Sequence, residues 1–149
     1  MKNKASRTLL LGSKDSCKSL SRLKRLESLD LSFNEFNKSI VLCLTALPSL
    51  KILDLSRSLG TSFPFQEFHD LPYLEVVLLT ENGFSGTLPV EEFAALENLE
   101  MLDLTSCGFN GTFRIQGSER VSILRKLKTL NLGSNGFNER VITSLNTLP

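Results

Sequence analysis

Three aspartates recur in one setting. Asp30, Asp54 and Asp103 each stand between two leucines, and Asn131 takes the same place further on. Carboxylates side by side can share a proton in acid–base work or hold a cation through oxygen. Leu78 interrupts the series between Asp54 and Asp103, so it reads as the routine wording of a repeated element. Cys17, Cys43 and Cys107 are an odd, widely spaced set with no CxxC, which predicts neither a paired framework nor metal ligation and leaves the redox compartment open. His69 is the only histidine and is expected at the surface. No GxSxG, P-loop, HExxH or kinase motif occurs. The expectation is a protein that is not an enzyme, with no catalytic residue, no metal and no cofactor.

Two short motifs point to modification instead. Asn37-Lys38-Ser39 and Asn110-Gly111-Thr112 fit the N-glycosylation acceptor pattern. Each asparagine directly follows a phenylalanine at one position of a longer period, so both are expected at solvent.

That period positions everything else. Five segments share the pattern LxxLxxLxLxxN, which contains LxxLxLxxN, starting at Leu23, Leu47, Leu71, Leu96 and Leu124, with spacings of 24, 24, 25 and 28 residues. A sixth start falls at Leu148. The central pairs, such as Leu29 with Leu31 and Leu53 with Leu55, alternate as a short strand does. One such strand cannot bury its apolar side alone, so successive copies must stack and pair into a parallel sheet. The last position of the pattern holds Asn34, Ser58, Asn82, Cys107 and Asn135. A side-chain amide there can serve backbone groups as the chain leaves the strand; cysteine is expected to hold its turn less firmly. Two residues on, Phe36, Phe84, Phe109 and Phe137 are expected to stack as an aromatic spine, with Gly60 as the gap and Phe63 and Phe65 near enough to refill it. Ile40, Phe63, Leu88, Phe113 and Val141 form a further inward column, and Leu44, Phe68, Phe93, Val121 and Leu145 another. The fourth period has extra residues around Arg114–Glu119.

These segments resemble the leucine-rich repeat, and Asn82-Gly83-Phe84-Ser85-Gly86-Thr87-Leu88-Pro89 resembles its plant-specific form; Phe109–Phe113 is a looser copy. The run Ser19–Ile40 is similar to early repeats of plant receptor-like proteins, and the likeness extends over residues ~19–149. The fold this implies is an α/β solenoid: a right-handed coil with a parallel sheet on its concave face and short 3₁₀, irregular or helical returns. In that family the proline-bearing stretch forms a second short strand. The resemblance further implies a peptide or protein ligand, a co-receptor kinase as partner, and the extracellular face of the plasma membrane for the full receptor, in defence or development.

The residues between and after the strand leucines then face solvent on the concave side. They include Ser28, Ser32, Ser56, Thr80, Ser106, Thr129 and Ser134. The expected ligand-binding set is Phe33, Ile52, Asp54, Arg57, Val76, Leu78, Glu81, Met101, Asp103 and Asn131, with Phe33, Ile52, Val76, Leu78 and Met101 as apolar anchors.

The division expected is a basic leader or degenerate N-terminal repeat at 1–22, then a repeat domain at 23–149 with units 23–46, 47–70, 71–95, 96–123 and 124–147. Eight of the 17 Lys and Arg but one of the 16 acids lie in residues 1–25, so that segment is +7 and the remainder −6. A solvated, partly disordered leader is the first expectation, and contact with an acidic partner the second. The overall charge of +1 argues against nucleic acid. No apolar run has the ~20 residues of a membrane span and no signal peptide is visible; membrane insertion by this chain is not expected. The family's cysteine-paired N-terminal cap, C-terminal cap, span and island domain are not seen and the last residues open a new repeat, so a fragment, a truncated gene product or a partial gene model is expected. A secreted enzyme-inhibitor type of repeat protein and a cytoplasmic repeat scaffold are the alternatives.

Overall fold

The computed structural model describes residues 3–4, 14–37, 39–61, 66–88, 93, 95–111 and 125–138. The strand leucines form the coil predicted. Strands β1 (Asn3–Lys4), β2 (Ser28–Asp30), β3 (Ile52–Asp54), β4 (Val76–Leu78), β5 (Met101–Asp103) and β7 (Thr129–Asn131) make one parallel sheet in chain order. The register sets Leu29, Leu53, Val77, Leu102 and Leu130 side by side. Leu31, Leu55, Leu79 and Leu104 lie in the core beside them, and Leu130 and Leu132 are half-buried against it. At about 1.5–3 kcal/mol per buried large side chain, these columns dominate stability.

The ladder continues past each strand into the turn. Leu55 N–H donates to Leu78 O at 2.9 Å and Arg57 N–H to Thr80 O at 3.0 Å, and the same two bonds recur between the other coils. The residue making the second bond is left-handed each time: Phe33, Arg57, Glu81 and Ser106 have φ of 58°, 53°, 55° and 57°, and Ser134, at the same place in the fifth repeat, has 54°. None is glycine, so each costs on the order of 1 kcal/mol. The next column offsets that cost. Asn82 Nδ2 donates to Leu79 O (2.7 Å) and Leu55 O (3.1 Å), while its Oδ1 accepts from the N–H groups of Ser58 (3.0 Å) and Leu59 (2.8 Å). Asn135 does the same for its own coil and the one before, through Leu132 O, Leu104 O and the N–H groups of Cys107 and Phe109. The expected role of the asparagines is correct, with a reach of two coils. Cys107 keeps a weaker version: its Sγ lies 3.0 Å from Leu79 O, and burial pushes the thiol up to about 11.

The returns bury their predicted columns in different local forms. Helix α2 (Ile40–Leu44) buries Ile40, Val41, Cys43 and Leu44. A 3₁₀ turn at Glu67–Asp70 buries Phe68, and Leu88 and Phe93 are buried as well. Phe84 and Phe109 have ring centroids 5.7 Å apart, and Phe109 and Phe137 6.4 Å, so the spine forms; Phe36 packs on the core before the Gly60 gap. In that coil Leu59 is buried. Phe63, Phe65, Phe113, Val121, Val141, Leu145 and the Arg114–Glu119 insertion lie outside the described residues. The returns carry a second sheet: β6 (Asn110–Gly111) pairs with β8 (Gly136–Phe137), and Asn110 N–H reaches back to Gly86 O at 2.9 Å; the proline-bearing stretch at Pro89 lies outside the described residues. Glycine is required at Gly108, where φ is +80° and a Cβ would run into the Phe84 carbonyl.

Two expectations about the start of the chain need correction. The first coil is not simply a solvated leader. Strand β1 pairs Asn3 with Leu29 and Lys4 with Asp30, and helix α1 (Lys14–Leu20) precedes the turn into β2. Two of the cysteines do pair: Cys17 on α1 is disulfide-bonded to Cys43 on α2, with Cα atoms 4.8 Å apart and a sequence separation of 26. The spacing seemed too wide for a framework, but 26 residues is also the offset of β1 from β2, one turn of the coil.

Candidate functional site

The outward residues of the sheet fall into columns set by register. The first column runs Ser28, Ile52, Val76, Met101, Thr129 and the second Asp30, Asp54, Leu78, Asp103, Asn131. Ile52, Val76 and Met101 are thus cross-strand neighbours on adjoining strands about 4.8 Å apart. Ile52 is 40 % exposed; Val76, Leu78 and Met101 are partly exposed. The sheet face therefore carries a short apolar strip, where monomeric surfaces usually scatter such groups.

The aspartates flank that strip and are spoken for by their own turns. Asp30 Oδ1 accepts from Ser32 N–H (3.0 Å) and its hydroxyl (2.6 Å), Asp54 Oδ1 from Ser56 N–H (2.9 Å), and Asp103 Oδ1 from Thr105 N–H (2.9 Å). Asp103 Oδ2 also accepts from Asn131 Nδ2 at 2.8 Å. Burial pushes the Asp103 carboxyl up, but the hydrogen bonds from Asn131 and from Thr105 outweigh it and leave its pKa below the ordinary value. An aspartate that closes its own loop is a structural device, and Leu78 holds Asp54 and Asp103 two strands apart. Among the described residues, no three His, Cys, Asp or Glu gather as metal ligands.

The left-handed column makes the next row. Arg57 lies with Cζ 5.2 Å from the centre of the Phe33 ring and its Nε donates to Glu81 Oε2 at 2.7 Å. Phe33 is 60 % exposed, so this row of ring, cation and carboxylate is presented to solvent. Behind it a groove of about 360 Å³ opens at the Gly60 gap, lined by Glu35, Phe36, Ser58 and Gly83 among others. The turn takes Ser56 out of the solvent-facing set: it is only 9 % exposed.

On the opposite rim, just before each strand, lies a row the sequence reading missed: Glu27, Lys51, Glu75, Glu100 and Lys128. Lys51 pairs with Glu75 at 3.2 Å and Lys128 with Glu100 at 2.8 Å. Their shared place, directly after the second leucine of each repeat, was the available signal. All ten residues of the expected binding set therefore share one face: Ile52, Val76 and Met101 in one column; Asp54, Leu78, Asp103 and Asn131 in the next; Phe33, Arg57 and Glu81 along the turn.

The profile of the Leucine Rich Repeat family matches residues 25–47, which hold β2, its Asn34 turn and α2. Among solved structures, the crystal structure of a TDR receptor is 34 % identical, with a TM-score of 0.61 over 79 % of this chain and 20 % of that one. The chain folds as a leucine-rich repeat coil. A second solved structure, the Arabidopsis receptor kinase HAESA in complex with the peptide hormone IDA and the co-receptor SERK1, is 25 % identical with a TM-score of 0.58, covering 80 % of this chain and 19 % of that chain. In sequence the chain is 42 % identical over 73 residues to the putative receptor-like protein 8 of Arabidopsis thaliana, which is 48 % of the chain and 7 % of the relative. It thus spans less than a tenth of that relative's length.

Elsewhere on the chain, His69 is exposed, as expected. Asn37 is exposed at the turn into α2, with its Oδ1 accepting from Ser39 N–H at 3.0 Å and from the Ser39 hydroxyl. Asn110 is exposed on β6; Lys38 and Thr112 lie outside the described residues. Among the described residues no helix is long and apolar enough to cross a membrane.

Proposed function

We propose that this chain is a non-catalytic binding module of a plant cell-surface receptor-like protein, which holds an extracellular peptide or protein ligand along the concave face and signals through a partner kinase. The observation that carries the reading is the in-register apolar strip Ile52–Val76–Met101, bordered by the Asp column and the Phe33–Arg57–Glu81 row. Apolar anchors inside a polar border are the arrangement of a protein-recognition surface. The HAESA complex, with its peptide hormone and co-receptor, supports both classes of partner. The Cys17–Cys43 disulfide supports an oxidising, extracellular setting over a cytoplasmic scaffold. N-glycosylation at Asn37 and Asn110 belongs to the same reading.

The test is secretion of the chain from plant cells, then capture of extracellular-fluid peptides on it and on a Val76→Asp/Met101→Asp variant of equal urea midpoint. Peptides held by the wild type and lost from the variant support the reading; equal retention overturns it. A mass shift on enzymatic deglycosylation, lost in Asn37→Gln/Asn110→Gln, is expected in the same material; unmodified secreted chain overturns the glycosylation.

A further inference from the structure

At the N-terminal end of the concave face lies a second groove, of about 620 Å³, where the first coil turns into β2. Arg22, Leu23, Lys24, Arg25 and Ile52 line it, with Glu27 the carboxylate among the lining residues. The turn is held in place: Leu23 N–H donates to Leu20 O at 2.9 Å, Leu26 N–H to Leu23 O at 3.1 Å, and the Ser49 hydroxyl to Lys24 O at 2.8 Å. Its backbone is fixed while Arg22, Lys24 and Arg25 are all exposed.

These cations differ from Lys51, Arg57 and Lys128, and resemble Arg125 and Lys126 at the same turn of the fifth repeat, which also have no ion-pair partner among the described residues. Lys51, Arg57 and Lys128 each face a carboxylate. Arg22, Lys24 and Arg25 have no ion-pair partner among the described residues, and they stand in the segment that carries +7 of a chain whose remainder is −6. Apolar surface accompanies them: Leu23 and Ile52 are each 40 % exposed. Cations alone would be an ordinary solvated patch. Unpaired cations on a fixed turn, around a groove with two exposed aliphatic groups, suit a ligand that brings both carboxylates and an apolar side chain.

We propose that this groove is a docking site for an acidic peptide segment of a partner protein, whose carboxylates meet Arg22, Lys24 and Arg25 and whose aliphatic side chain lies against Leu23 and Ile52. The positive end of the molecule steers such a segment to this end of the coil. The site goes beyond the concave-face reading and shares Ser28 and Ile52 with that face.

The experiment uses the full chain and two fluorescent decapeptides, one with glutamates around two leucines and one with lysines in place of the glutamates. The wild type is expected to bind the glutamate peptide, more weakly as salt rises, and not the lysine peptide. Arg22→Ala/Lys24→Ala/Arg25→Ala is expected to lose about tenfold in affinity and most of the salt dependence. Arg22→Lys/Arg25→Lys, which keeps the charge, is expected to stay within about threefold. All these positions are exposed, and unchanged urea midpoints show that folding is intact. Equal binding of both peptides, no binding of the glutamate peptide at low salt, or unchanged affinity in the triple alanine variant each overturns the proposal. The two readings fail separately, one at Val76 and Met101, the other at Arg22, Lys24 and Arg25.

Discussion

Asn82 closes its own turn and the one before it with a single amide, and this decides what its loss costs. Asn82→Ala strands the buried N–H groups of Ser58 and Leu59, while the Leu55 and Leu79 carbonyls lose one donor each and keep the Ser58 hydroxyl and the Cys107 thiol. At about 1–3 kcal/mol for each buried group left without a partner, and with some groups recovering one, the expected destabilisation is about 3 kcal/mol. Asn34 is half-buried and, among the described residues, bonds Leu31 O and Ser32 O of its own coil, so for those bonds Asn34→Ala is expected to cost about 1 kcal/mol. Urea midpoints measure both, and equal losses would show that the reach into the neighbouring coil contributes nothing. Asp103 supplies a pH-dependent counterpart. Its pKa is lower in the folded chain than in a free aspartate. Its stabilisation is therefore complete above the unfolded value of about 4 and is lost as pH falls through the lower folded value. Urea titrations at neutral pH and near pH 3 are expected to show a smaller acid-induced loss for Asp103→Asn than for the wild type. An identical acid loss would remove Asp103 from the set of groups that hold the coil.

Strands and returns differ in how plainly the chain spells them. The period-two leucines announce each strand because burial of one side demands them, and the asparagines announce each turn because the chain leaving the strand must satisfy backbone groups. Ile52, Val76 and Met101 could be placed on one face for the same reason: once the leucines point inward, the residues between them point out. What was hidden follows from the same logic. Cys17 and Cys43 occupy equivalent returns one coil apart, but residues 1–22 lack the LxxLxLxxN wording, so no frame existed in which to count the first coil. The left-handed column carries Phe, Arg, Glu and Ser, residue types that do not advertise positive φ. Ser56 looked exposed because its place alternates with the core, yet the strand's alternation stops where the turn begins. The disulfide gives a prediction for these elements. A 26-residue cross-link limits the unfolded chain by about 3 kcal/mol in the loop-entropy account. Cys17→Ser is expected to lower the urea midpoint accordingly and to make it insensitive to reductant, whereas the wild type should shift downward when reduced. A reductant-independent wild-type midpoint would mean that α1 and α2 are not cross-linked.

Every strand in the main sheet pairs only with the strands of the coils before and after it, so the whole molecule is a one-dimensional stack whose stability sums coil by coil and interface by interface. A fault in the middle then matters more than its own size, because it cuts two interfaces at once. Leu79 sits at such a place, fully buried in the third of the five LxxLxLxxN coils. Leu79→Asp would set a carboxylate without a partner among Leu55, Leu104 and their neighbours, a burial that costs several kcal/mol in a molecule whose total margin is of the order of 5–15 kcal/mol. Loss of the cooperative urea transition is the expected outcome. Thr80→Asp places the same charge one residue along, on the partly exposed outer side of the sheet, and is expected to move the midpoint only slightly. The comparison separates burial from charge. If the two variants unfolded at the same urea concentration, the strand leucines would not be the groups that join the coils. The concave face could then not be a surface held rigid from behind, as recognition by Ile52, Val76 and Met101 requires.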